Sequence, residues 1–102
     1  MTQNSLTIEA VVFKTPKLTS SPVGIKHCQF TIEHRSMQVE AQMNRQAFVR
    51  MQVVATGDWS QHLTSELVEG KQVRVTGFLN RHETRNGNPL LVLHAQQIEM
   101  IN

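Results

Sequence analysis

Four side chains in the stretch RQAFVRMQVVAT, residues 45–56, have the types and spacing to grip an extended polyanion. On a strand, alternate side chains point to opposite faces, so Gln46, Phe48, Arg50 and Gln52, with Val54 following, share one side. An exposed aromatic ring gives a base a surface to stack on, and a guanidinium beside it meets a phosphate through charge-assisted hydrogen bonds. The other side, Ala47, Val49, Met51, Val53 and Ala55, is wholly apolar and suits a core. A plainer reading has Phe48 covering a second apolar surface, such as a subunit contact or a packed loop.

These side chains need elements that hold them on one surface. Residues 5–13 alternate Leu6, Ile8, Ala10 and Val12 against Ser5, Thr7, Glu9 and Val11, the pattern of a half-buried strand. Residues 14–26 then read as a long loop, with Pro16, Pro22, Gly24 and a Thr-Ser-Ser cluster, and carry Lys14, Lys17 and Lys26. Residues 27–35 form a second strand, with Cys28, Phe30 and Ile32 inward and Gln29, Thr31, Glu33 and Arg35 outward. If it pairs with the third strand, residues 45–56, across the polar link SMQVEAQMN, Arg35 and Phe48 share one surface.

After Gly57, Trp59, Leu63 and Leu67 recur every four residues, which predicts a short helix with Asp58 as N-cap and Gly70 as its stop. Its leucine partners make Trp59 a plug for the bottom of the fold. Residues 71–80 make a fourth strand, Val73, Val75 and Leu79 inward and Arg74, Thr76 and Phe78 outward, with Gly77 at a bulge or bend. Asn86-Gly87, within residues 81–88, is a hairpin turn signal, and that segment adds Arg81 and Arg85. The fifth strand, residues 89–101, turns Leu91, Leu93 and Ala95 to one face and then Ile98 and Met100 to the opposite parity, so a bulge falls near Gln96 or Gln97. That switch is expected to turn apolar groups outward, where they and the first strand would form a dimer contact.

Length and composition bound what these elements build. At 102 residues the chain is expected to be one domain, residues 1–102. Its hydrophobic fraction of 39% and charged fraction of 18% are those of a globular protein, and no apolar run is long enough to span a bilayer. The opening MTQNSLTIEA has neither a charged n-region nor an apolar h-region, and a lone cysteine, Cys28, forms no internal disulfide; both suit a reducing cytoplasm. Formal net charge is +2, unevenly placed: six cations oppose three carboxylates up to Met51, and four oppose five from Gln52 onward. The surplus sits around the first three strands, a mild pointer to a polyanion.

Enzyme chemistry is not supported. No serine sits in a nucleophile elbow, Cys28 falls on an inward strand face, and no glycine-rich phosphate loop is present. His27, His34, His62, His82 and His94 lack metal-ligand spacing. His34 and Arg35 are strand neighbours and point to opposite sides, so they cannot act on one ligand. Neither a cofactor nor a metal is implied.

Three strands, a short helix and two strands exclude alternating βαβ folds. The order matches an all-β, five-stranded Greek-key OB-fold barrel with a short helix between strands three and four. Such barrels bind oligonucleotides on the face of strands two and three, with the first-to-second and fourth-to-fifth loops as walls.

The stretches GIKHCQFTIEHRSMQ (24–38), NRQAF (44–48), VTGFL (75–79) and VLHAQQIEMI (92–101) are spread over nearly the whole chain. Together they resemble the family of bacterial primosomal replication protein N (PriB), relatives of the single-stranded-DNA-binding proteins. The resemblance implies a homodimer of OB-folds that binds single-stranded DNA in replication restart, joining the helicase PriA and helping to bring in DnaT. It also implies a DNA surface with Arg35 of the EHRS motif and Phe48 after RQA, where the family's aromatic is often tryptophan. Basic residues of the hairpin between strands four and five join it, here Arg81 and Arg85, while Glu83 and Leu90 stand where relatives can carry lysine. The first loop supplies Lys14 and Lys17, with Thr19 near another lysine place. The candidate nucleic-acid-binding set is Lys17, Arg35, Phe48, Arg50, Arg81 and Arg85. The competing class is a protein-interaction scaffold of the same fold with little intrinsic DNA affinity.

Overall fold

The longest ladder joins β3, Lys26–Glu40, to β4, Met43–Thr56, antiparallel from His27 opposite Thr56 to Glu40 opposite Met43. A computed structural model describes residues 2–101 of the chain. The segment 36–44, expected as a polar link, lies mostly within this ladder. Only Ala41 and Gln42 are turn residues, both at positive φ (51° and 64°), as a two-residue hairpin with the twist of its strands demands. Polar composition misled here because the hairpin runs past the barrel, where neither face is covered and no apolar alternation is needed.

Around this hairpin lie β1, Leu6–Val12, β5, Gln72–Glu83, and β6, Pro89–Met100. β1 pairs with β5, β5 with β6, β6 in parallel with β4, and β1 again with β3 through Val11 and Val12. Those five strands close on themselves as the expected OB-fold barrel. The alternating apolar side chains meet inside it: Ala10 and Val12, Cys28, Phe30 and Ile32, Val53 and Ala55, Val73 and Val75, Leu93 and Ala95 are all buried. Their common removal from water is the main stabilising force.

The first loop contains a short strand, β2, Lys17–Ser20, which pairs with Lys26–Gln29 on the β3 edge that β1 leaves free. All four of its residues are exposed, so no burial pattern announced it. A 3-10 helix, Asp58–Leu63, stands between β4 and β5. It departs from the expected helix in two ways. Gly57, not Asp58, is the N-cap, with no side-chain capping bond. At three residues per turn, the spacing of four does not put Trp59 on the leucine face. Ser60, Leu63 and Leu67 are buried, whereas Trp59 remains 36% exposed, its indole Nε1 donating to the Thr56 carbonyl at 2.8 Å.

The bulge on β6 falls at Gln96, since Ala95 faces Gly77 and Gln97 faces Thr76. The extra residue resets the pleat, so Ile98 and Met100 return to the barrel side and pack on the core. They are not turned outward, which removes the ground for placing a subunit contact there. Leu91 departs the other way: expected inward, it is 51% exposed. It lies beyond the barrel's rim, on the β5–β6 hairpin. Gly77 has a strict steric cause, because a Cβ there would stand 1.9 Å from the His94 carbonyl oxygen.

Candidate nucleic-acid interface

Alternation and register together decide which side chains meet on the outer face of β3 and β4. Arg35 stands opposite Phe48, Glu33 opposite Arg50, Thr31 opposite Gln52 and Gln29 opposite Val54. Phe48 is 49% exposed, and the Arg35 guanidinium carbon lies 4.3 Å from its ring centre. Arg50 reaches between two rings, 4.2 Å from the centre of Phe13 and 5.9 Å from that of Phe48. Phe13, with Lys14 Nζ 5.7 Å from its ring, extends the row. Sequence reasoning assigned it no role, although its parity matches the outward residues of the first strand.

Glu33 sets the electrostatics of this row. Its Oε2 accepts hydrogen bonds from Arg50 Nε, at 3.0 Å, and Nη2, and its Oε1 lies 3.9 Å from Arg35 Nη2. One carboxylate thus anchors the Arg50 guanidinium and lies near that of Arg35, each guanidinium placed over a ring. Both arginines remain largely exposed, so these pairs orient the side chains more than they stabilise the fold.

The remaining candidates lie on the flanks. Lys17, on β2 opposite Gln29, lines with Lys14 a hollow of about 160 Å³ whose floor includes Thr31 and Gln52. Arg81 is within β5, not in a loop, and its Nη1 donates to Glu83 at 3.0 Å. Arg85 sits in the β5–β6 turn closed by the Gly87 amide donating to the Thr84 carbonyl, and forms no ion pair among the described residues. Arg35, Phe48 and Arg50 are therefore one contiguous row, with Lys17 at its side and Arg81 and Arg85 on a separate hairpin.

A second feature was invisible in the sequence. His27, His82 and His94 converge on a cleft of about 340 Å³ beside Gln29, Gln52 and Val54. Phe78 and His94 are near-parallel, 5.0 Å between ring centres, and His82 Nε2 lies 2.9 Å from His94 Nε2. Burial, and then neighbouring His82, hold His94 below the usual imidazole range. Among the described residues no group of three side chains is placed to hold a metal ion. Cys28 is fully buried, which pushes its thiol up and leaves it a small core residue.

Comparison with known proteins assigns the family. The model of a family described as "another single-strand binding protein family" matches residues 4–97. Replication restart protein PriB of Serratia proteamaculans is 49% identical over 102 residues, spanning 100% of this chain and 97% of that protein. The chain belongs to the PriB replication restart family. Among solved structures, PriB from Ralstonia solanacearum superposes with a TM-score of 0.81 at 20% identity, covering 99% of this chain and 100% of that one. The single-stranded DNA binding protein from Thermus aquaticus gives a TM-score of 0.82 at 14% identity, over 98% of this chain and 51% of that one. At such identities the likeness is one of fold, and it places the PriB family chain among OB-fold proteins. No helix among the described residues is long and apolar enough to cross a membrane.

Proposed function

We propose that this chain binds single-stranded DNA along the β3–β4 face, as an accessory protein of replication restart and not as an enzyme. The observation that carries the reading is the Arg35–Phe48 pair, a half-exposed ring with a guanidinium 4.3 Å away on the open face of the barrel. Phe48 stacks on a base, while Arg35, Arg50 and Lys17 meet phosphates; Arg81 and Arg85 extend the path on the β5–β6 hairpin. PriB family membership and a fold shared with single-stranded DNA binding proteins support the reading. On the same grounds the chain acts as one cytoplasmic unit, pairs as a homodimer, and bridges the helicase PriA and DnaT.

A second reading has a specific observation behind it. Glu33 engages Arg50 and approaches Arg35, and Glu83 engages Arg81, so much of the cationic surface is internally matched. A scaffold that docks proteins, with slight DNA affinity, uses such a surface. Anisotropy of a labelled single-stranded oligonucleotide at two salt concentrations, with duplex as control, separates the two. Salt-sensitive binding that prefers the single strand is expected. No binding at low salt favours the scaffold.

A further inference from the structure

The His82–His94 pair has no part in the reading above, and its geometry is specific. The ring centres are 5.1 Å apart with planes 23° from parallel, while the Nε2 atoms are only 2.9 Å apart. The rings therefore meet edge to edge, and one Nε2–H donates to the other Nε2. In the neutral pair both Nε2 atoms are spent on each other. One added proton makes an imidazolium, and the cleft gains a cation.

The surroundings determine what that cation would meet. From β5, Phe78 packs near-parallel to His94, and Glu83 lines the cleft but is bound to Arg81. From β3 comes His27, whose Nδ1 lies 3.1 Å from Thr56 Oγ1, together with neutral Gln29. β4 contributes only uncharged residues, Gln52, Val53, Val54 and Thr56, and β6 adds Leu90 and Val92. Among the described residues Glu83 is thus the one carboxylate that lines the cleft, and it is already matched. Gln29 and Gln52 also belong to the hollow lined by Lys14 and Lys17, so the cleft is continuous with the surface assigned to DNA.

We propose that the His82–His94 pair makes DNA binding proton-linked: a backbone phosphate entering the cleft draws one proton from solvent onto the pair, so affinity rises as pH falls. The proposal rests on the DNA-binding reading and adds a second, titratable contact to it. Its sign follows from linkage. The bound state holds more protons than the free state, so a lower pH favours binding. In the free protein burial, and then neighbouring His82, hold His94 below the usual imidazole range, so His94 itself resists protonation until an anion arrives.

The test measures affinity for an oligothymidylate, whose bases do not titrate in the imidazole range, at constant salt across that range. Wild type is expected to tighten as pH falls, by at most about tenfold per pH unit for one proton. His82→Gln, at an exposed position, flattens the dependence, while His62→Gln, on the 3-10 helix outside the cleft, retains it. Histidine NMR titrations of the wild type, with and without DNA, are expected to show His94 titrating at higher pH in the complex, and resolve it from His27. Equal pH slopes for wild type and His82→Gln, or a His94 titration unmoved by saturating DNA, would overturn the proposal. Absence of binding at every pH would overturn the DNA-binding reading itself, and this proposal with it.

Discussion

Arg35 and Phe48 face each other across the β3–β4 ladder, and the guanidinium lies over the ring at 4.3 Å. Phe48 nevertheless stays 49% exposed, so a half-open ring and a cation stand side by side. Cation–π attraction at an exposed site is modest, about 0.5 to 1 kcal/mol, so Arg35 can exchange the ring for a phosphate at small cost.

Replacement of Phe48 by alanine removes the platform. Phe48→Ala is expected to weaken single-strand binding by about 1 to 3 kcal/mol at every salt concentration, with the salt slope retained. Anisotropy titrations check this, and wild-type affinity in the variant would refute stacking on Phe48.

Glu33 competes with DNA for two arginines. Glu33→Gln is expected to strengthen binding and to steepen the salt slope by about 0.7 for each phosphate newly engaged. Weaker binding would mean instead that Glu33 is needed to hold Arg50 in place between Phe13 and Phe48.

Arg85, at the β5–β6 turn, forms no ion pair among the described residues. Arg85→Ala is expected to flatten the salt dependence by about 0.7 and to leave unfolding stability within about 0.5 kcal/mol of wild type. A salt slope identical to wild type would remove Arg85 from the DNA path.

Gly77 tests the barrel. A methyl group there meets the His94 carbonyl oxygen at 1.9 Å, and backbone on both strands must move to admit it. Gly77→Ala is expected to cost about 1 to 3 kcal/mol or more, read as a lower denaturation midpoint. An unchanged midpoint would mean that the β5–β6 crossing is looser than described.

Stability should also report on His94. The fold holds its titration below the usual imidazole range, so in that range the unfolded chain binds more protons and stability falls as pH falls. Removing the group by His94→Gln is expected to lessen that decline in thermal midpoint. An identical decline in both proteins would place its origin elsewhere.

Sequence alone determined the alternating strands, most of the inward set from Ala10 to Ala95 though not Leu91, the Asn86-Gly87 turn and the bulge near Gln96. It also placed Arg35 and Phe48 on one face, because strand parity is local and any pairing of two outward sets joins them. Only the tertiary structure decided what depends on neighbours distant in the chain. The hairpin past the barrel and β2 are exposed on both faces, so no burial pattern could mark them, and their strands exist because partners supply the hydrogen bonds. The inward return of Ile98 and Met100 needed the register with β5, since a parity switch marks a bulge without saying which face the residues after it take. Trp59 stayed exposed because the turn after Gly57 winds with three residues, not four. Glu33's hold on Arg50 follows from the β3–β4 register, whereas the meeting of His27 with His82 and His94 arises from barrel closure, which brings together side chains that no local pattern connects.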